Sequence, residues 1–305
     1  MGNHTSSDLH AALEAVRRRG DEMLAMTRRW VEVNSYTANV AGVNAVGAML
    51  REAYTLPSLA CTVIPGGEGS GDHLVWRTPA AAHRAPIVLI GHHDTVFPPG
   101  HFEGWREDGG RATGPGALDM KGGLSVIRGA LAALEDVGAL AALPLVVMCV
   151  ADEEVGSPSS APHLRELARG AACALVFESG RAGDVIITRR KGVGAMTVVA
   201  HGKAAHAGNN HKDGANAIWA LAKFADAAQQ LTDYARGCTV NVGQFAGGTS
   251  KNTVAERAEC KLDLRYETVA DAKALVAALG AAADAAAAAV PGVRIEVSGG
   301  ANRLP

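Results

Sequence analysis

Three short apolar runs, each ending in residue types that bind metals, constrain this chain more than any other feature. Residues 86–90 lead into Gly91-His92-His93-Asp94, residues 145–150 into Ala151-Asp152-Glu153-Glu154, and residues 174–177 into Glu178. Continuous apolar runs of about four to eight residues fit strands buried on both faces of a parallel sheet and are too short for buried helices. Helical stretches at 122–136 and 163–169 separate them, so the chain up to Gly180 reads as an α/β unit with a partly parallel sheet. Upstream, 9–34 and 41–53 carry apolar residues at helical spacing. In open α/β sheets the carboxyl ends of the strands line the ligand crevice. His92, Asp94, Glu153, Glu154 and Glu178 can therefore converge although they are distant in sequence.

Beyond Gly180 the pattern changes to strands alternating with two long helices: strand 193–200, helix 214–231, strands 239–245 and 253–265, helix 269–289 and strand 293–297. That order, β-α-β-β-α-β, is the ferredoxin-like plan. The alanine tract at 281–289 continues a helical start and ends before Pro291, as a helix does. A length of 305 residues suits two domains of about 100–200 residues each. The expected division is a metal-binding domain over 1–188, an α+β domain over 189–298 and a short stub over 299–305.

Composition narrows the partners. With 29 basic against 31 acidic side chains, the chain is not a nucleic-acid binder by charge. No stretch reaches the ~20 apolar residues of a membrane span, and the first residues lack an apolar signal core, so a cytoplasmic protein is expected. The five cysteines form no CxxC pair and read as structural. Asn3-His4-Thr5 matches a glycosylation acceptor and, without a secretory signal, reads as chance.

A further candidate ligand is Asp119, in the glycine-rich loop Gly114-Pro115-Gly116-Ala117-Leu118-Asp119-Met120-Lys121-Gly122-Gly123. One imidazole among several carboxylates suits Zn²⁺, with Co²⁺ or Mn²⁺ as substitutes. Asp94, two residues beyond His92, can orient the imidazole. Glu153 and Glu154 are adjacent and point in different directions, so one can bind metal while the other takes a proton from water.

The motifs GHHDTVFPPG at 91–100, GPGALDMKGG at 114–123, ADEEVGS at 151–157, FESG at 177–180 and GKAAHAG at 202–208 together resemble one family along nearly the whole chain. This is the co-catalytic dizinc metallopeptidase family that includes glutamate carboxypeptidases, acetylornithine deacetylase, succinyl-diaminopimelate desuccinylase and aminoacylases. The resemblance implies two Zn²⁺ ions, with His92 on one, Asp119 bridging both, Glu154 on the other and Glu178 completing the first. It implies that Glu153 is the general base, that Asp94 orients His92, and that the Asp119-Met120 peptide is cis.

By the same resemblance the α+β domain is an inserted lid through which the chain forms a homodimer. His206 then reaches the neighbouring subunit's site to stabilise the oxyanion, and Asn252 and Arg265 hold the substrate's carboxylate. Arginine's planar fork suits a carboxylate; the alternation around Leu262 and Leu264 equally suits an arginine exposed on the lid surface. Arg189, Arg190 and Lys191 form a basic cluster that lies either near an acidic substrate side chain or on a solvated face.

The resemblance further implies a C-terminal return to the metal domain and a last histidine ligand, neither of which is present in these residues. His93 is expected to point away from the metals and not to substitute. The expectation is a weakened second metal position, an open sheet edge and poor solubility. The function implied is zinc-dependent hydrolysis of amide bonds in small peptides or N-acyl amino acids bearing a free carboxylate. The alternatives are a deacylase specific for one metabolite, or a catalytically impaired chain that only dimerises and binds.

Overall fold

A computed structural model describes residues 6–180, 182–183 and 185–305. The Asn3-His4-Thr5 acceptor lies outside the described residues. The chain divides into two compact units, Met1–Asp184 and Val185–Pro305.

In the first unit, helices α1 (Ser6–Arg18), α2 (Gly20–Val31) and α3 (Val40–Ala53) come first. The single helical stretch expected over 9–34 is two helices, because Arg19 leaves helical geometry ahead of Gly20. Asn39 caps α3, its side chain accepting from the Gly42 amide. Strands β1 (Ala60–Ile64), β2 (His73–Arg77) and β3 (Ile87–His92) follow, then a small ribbon of β4 (Arg106–Asp108) and β5 (Arg111–Thr113). After α4 (Gly122–Asp136) come β6 (Leu145–Val150), α5 (Ala161–Arg169) and β7 (Cys173–Val176).

The main sheet has the order β1-β2-β6-β3-β7, with β3 parallel to both β6 and β7 and the β1 and β2 pairings antiparallel. This is the partly parallel sheet that the apolar runs implied. β6 is buried throughout: Leu145, Val147 and Cys149 face a core shared with Trp30, Leu50 and Leu124, and Val146, Met148 and Val150 face a second, smaller one. β7 departs from the expectation of burial on both faces. It is the edge strand, and all four of its residues are exposed.

The second unit runs β8 (Gly192–His201), α6 (Ala217–Gln229), β9 (Thr239–Gly247), β10 (Arg257–Tyr266), α7 (Val269–Ala288) and β11 (Arg294–Arg303). Its sheet is antiparallel with the order β11-β8-β10-β9. Alternate β10 residues Ala258, Cys260, Leu262, Leu264 and Tyr266 enter one core with Phe224 of α6 and Leu279 of α7. Residues 299–303, assigned from sequence to a stub, instead continue β11, which stays paired with β8 as far as Arg303 opposite Val193. The five cysteines are free; Cys149, Cys238 and Cys260 are buried and Cys61 and Cys173 exposed. Among the described residues no helix is long and apolar enough to cross a membrane.

Candidate metal centre

Strand register brings the candidate ligands to one level. His92 pairs with Val150 and Ile90 with Val176, so Glu178, two residues past Val176, comes level with His92, two past Ile90. Asp119 arrives from the glycine-rich loop, and two glycines allow its approach. A Cβ on Gly91 would meet side-chain atoms of Met120 and Leu124 at 2.7 Å, and one on Gly123 would lie 2.1 Å from the Phe177 carbonyl oxygen. The loop is tied down by the His92 amide, which donates to Met120 Sδ, and by Lys121, whose buried Nζ donates to the carbonyls of Trp30 and Val33 at 2.9 and 3.2 Å. Those carbonyls lie at the end of α2, where helical acceptors are unpaired; burial pulls the Lys121 pKa down to about 7. The Asp119-Met120 peptide is cis, as the resemblance implied.

The ligand atoms of His92, Asp119 and Glu178 lie within 4.8 Å of one another. His92 Nε2 is 3.0 Å from Asp119 Oδ1 and 3.7 Å from Glu178 Oε1, while Nδ1 faces the Asp94 carbonyl at 3.1 Å and its carboxylate at 3.3 Å. His92 is buried, whereas the Asp119 and Glu178 side chains are 57% and 36% exposed, so the cluster is open on one side. Burial opposes charge on His92, yet its hydrogen bonds to Asp94 and Glu178 and their charges push its pKa up to about 11. A site that holds a proton so firmly is short of positive charge, and a divalent cation placed among the same donors would supply it. The residues present therefore fit a divalent metal.

Asp94 has a wider role than orienting one ring. Its carboxylate is buried, accepts from Thr37 Oγ1 at 2.8 Å, and accepts from the amides of Glu153 and Glu154, each at 3.2 Å. Burial works against the charge, but hydrogen bonds from His92, Thr37 and the Glu154 amide hold its pKa below the usual carboxylate value. One carboxylate thus joins the end of β3 to the turn after β6. Thr37 escaped the sequence reading, since nothing in its surroundings marks it.

Glu153 and Glu154 occupy that turn, outside the three-residue cluster. Burial, reinforced by the charges of Asp119, Glu153 and Asp94, raises the Glu154 pKa to about 7 despite nearby His92; burial likewise raises Glu153. His93 points into the core, as expected. Its Nδ1 lies 3.2 Å from Cys149 Sγ, and burial drives its pKa down to about 3.

The remaining candidates belong to the second unit. Exposed His206 accepts from the amides of Gly208 and Asn209 at Nδ1, which leaves the proton of the neutral ring on Nε2. Asn252 is its neighbour: the Asn252 carbonyl accepts from the Ala207 amide, and its side chain accepts from Ser250 Oγ. Arg265 is exposed, but its fork is filled by Asp263 on the same face of β10, with contacts of 2.8 and 3.0 Å. Of the basic cluster, Arg189 and Lys191 share the single carboxylate of Glu267, at 3.0 and 3.6 Å, within the unit.

A family model for the M20 peptidase dimerisation domain matches residues 188–291. Carboxypeptidase G2 of a Pseudomonas species is 29% identical over 242 residues, which cover 77% of this chain and 58% of that one. Succinyl-diaminopimelate desuccinylase of a Methylobacterium species is 28% identical over 233 residues, covering 70% of this chain and 59% of the relative. The chain thus spans less than two thirds of the length of these relatives. Among solved structures, aminopeptidase PepT of Bacillus cereus shares the fold, with a TM-score of 0.76, 22% identity, and coverage of 91% of this chain and 75% of that one.

Proposed function

The chain belongs to the M20 family of metallopeptidases, and from that membership we propose that it serves a zinc-dependent hydrolase of carboxypeptidase or deacylase type. The substrates are small peptides or N-acyl amino acids with a free carboxylate. The observation that carries this reading is the convergence of His92, Asp119 and Glu178 beside the acidic turn of Glu153 and Glu154. We assign the first unit, up to Asp184, to the metal-binding domain and the second, from Val185 and including all of β11, to the lid that joins two copies.

In this reading His92, Asp119, Glu178 and Glu154 hold two zinc ions, and Co²⁺ or Mn²⁺ can replace them. Bound there, the metals polarise the scissile carbonyl and make water acidic enough to attack at neutral pH. Asp94 keeps the Nδ1 proton of His92 engaged, so that Nε2 faces Asp119 and Glu178. Glu153 takes a proton from the attacking water and returns it to the leaving amine. The Nε2 proton of a second copy's His206 stabilises the negative charge that develops on the carbonyl oxygen. Asn252 and Arg265 receive the substrate carboxylate, which displaces Asp263 from the Arg265 fork.

The relative named as a desuccinylase favours a second reading, in which the acyl group and amine belong to one metabolite. Zinc content after dialysis, together with turnover on a panel of blocked dipeptides and N-acyl amino acids, tests both. Broad turnover abolished by Glu153→Gln supports the first, and turnover confined to one acyl amine supports the second. Absence of zinc and of turnover on every substrate defeats both.

A further inference from the structure

The turn that carries Glu153 and Glu154 is held from behind by a hydrogen-bonded chain that reaches across the sheet. β2 lies beside β6, so His73, the first residue of β2, meets the chain where β6 ends. The His73 ring is fully buried, and its Nδ1 accepts from the Ala151 amide at 3.1 Å. A nitrogen that accepts carries no proton, so the ring's proton sits on Nε2; burial also lowers the ring's pKa. That nitrogen lies 3.0 Å from Ser159 Oγ, which donates to Asp152 Oδ2 at 2.7 Å. The same carboxylate oxygen accepts from the amides of Ser159 and Ser160, and the Asp152 carbonyl accepts from the Ser157 amide. Residues 152–160 are therefore cinched into a loop around a buried aspartate.

A serine, a histidine and an aspartate in contact suggest a nucleophile, but the proton directions exclude it. The Ser159 proton goes to Asp152, and the only imidazole lone pair is engaged by the Ala151 amide, so His73 has no free nitrogen to act as base. A holding role fits instead. Glu153 and Glu154 lie between Asp152 and Ser159, and their amides reach forward to Asp94. We propose that His73, Ser159 and Asp152 are positioning residues forming a latch that fixes the Glu153-Glu154 turn in register with the end of β3. This rests on the metal-hydrolase reading above: the latch bears on Glu154 and Glu153 and leaves the ligands His92, Asp119 and Glu178 on other elements untouched.

The test compares the whole chain with Ser159→Ala, which removes the half-buried hydroxyl, and with Ser159→Thr, which keeps one. Co²⁺ is titrated into each and followed by its visible absorption, and amide hydrogen exchange of residues 151–160 is measured without metal. In Ser159→Ala the weaker Co²⁺ site is expected to lose about tenfold in affinity, the lower end for groups that support a metal ligand. The tighter site stays unchanged. The Glu153 and Glu154 amides exchange about tenfold faster, and Ser159→Thr stays near wild type on both measurements. Unchanged exchange in Ser159→Ala, or equal losses in Ser159→Thr, overturns the latch. If the wild-type chain takes up no Co²⁺, the hydrolase reading falls, and the exchange measurement alone still decides whether the latch exists.

Discussion

Asp94→Asn is a nearly isosteric change whose consequence can be worked out bond by bond. Asp94 Oδ1 faces the Glu153 amide and the Nδ1 of His92, and Oδ2 faces Thr37 Oγ1 and the Glu154 amide, all of them donors. Asparagine offers a single acceptor oxygen. In its better orientation the new NH₂ replaces Oδ2; the Thr37 hydroxyl can rotate to accept from it, but the Glu154 amide is left facing a donor. Stranding that amide costs about 1–3 kcal/mol, and weakening the two bonds kept at Oδ1 from charged to neutral costs about 1 kcal/mol each. The expected loss is about 3–5 kcal/mol, a large share of a domain's stability. Urea unfolding measures it, with the midpoint falling and the slope unchanged. Wild-type Asp94 also has its folded pKa below the unfolded value of about 3.9. Its contribution is therefore complete above that value and is lost as pH falls through the folded pKa, an acid limb that Asp94→Asn should lack. Zinc affinity should fall about 10–100-fold. A stability loss under about 1 kcal/mol, with the acid limb intact, would refute this account of the site.

Other substitutions probe neighbouring features. Tyr54→Phe keeps the stack on Trp76 but removes the hydroxyl that donates to the Leu124 carbonyl at 2.6 Å; we expect a loss of about 1 kcal/mol by urea melt. Gly123→Ala places a methyl 2.1 Å from the Phe177 carbonyl oxygen, next to Glu178. It should cost about 1–3 kcal/mol or more and reduce bound zinc, as read by elemental analysis. Phe224→Ala empties a fully buried position in the second unit; an expected loss of about 3–5 kcal/mol should speed amide exchange in residues 185–305.

How far the sequence announced these features depended on the range of the interactions behind them. β6 and α4 were legible to the residue, because an uninterrupted apolar run and a glycine-led helical periodicity are local signals. The ferredoxin-like order was readable for the same reason: the two central strands of the second unit, β8 and β10, alternate against one core. β1 and β2 were missed because β1 carries only half-buried and exposed residues and β2 shows no alternation. The exposure of β7 follows from its place at the sheet edge, which its own four residues do not encode. The pairing of Arg189 and Lys191 with Glu267 spans more than seventy residues and left no local trace. The pairing of Arg265 with Asp263 was within reach, since residues two apart on a strand share a face.

The residues that bear the proposed chemistry are not the ones that hold it in place. His92 and Glu178 are set by strand register, and Asp119 by a loop that two glycines and a buried lysine bring close. Glu153 and Glu154 have no such support from the ladder, because β6 ends at Val150 and they sit in a single 3₁₀ turn beyond it. Their backbone is gripped on one side by the Asp94 carboxylate and lies next to a loop closed by Asp152 and Ser159. Each grip is made by a buried carboxylate, Asp94 through both oxygens and Asp152 through Oδ2, which accepts from the Ser159 hydroxyl and the Ser159 and Ser160 amides, so neither can shift without stranding several donors. A turn carrying a proton-transferring glutamate has to keep its place while its side chain changes charge, and hydrogen bonds to its backbone are unaffected by that change. This is the physical reason to look for the determinants of the site in Asp94, Asp152 and Ser159 as much as in the ligands themselves.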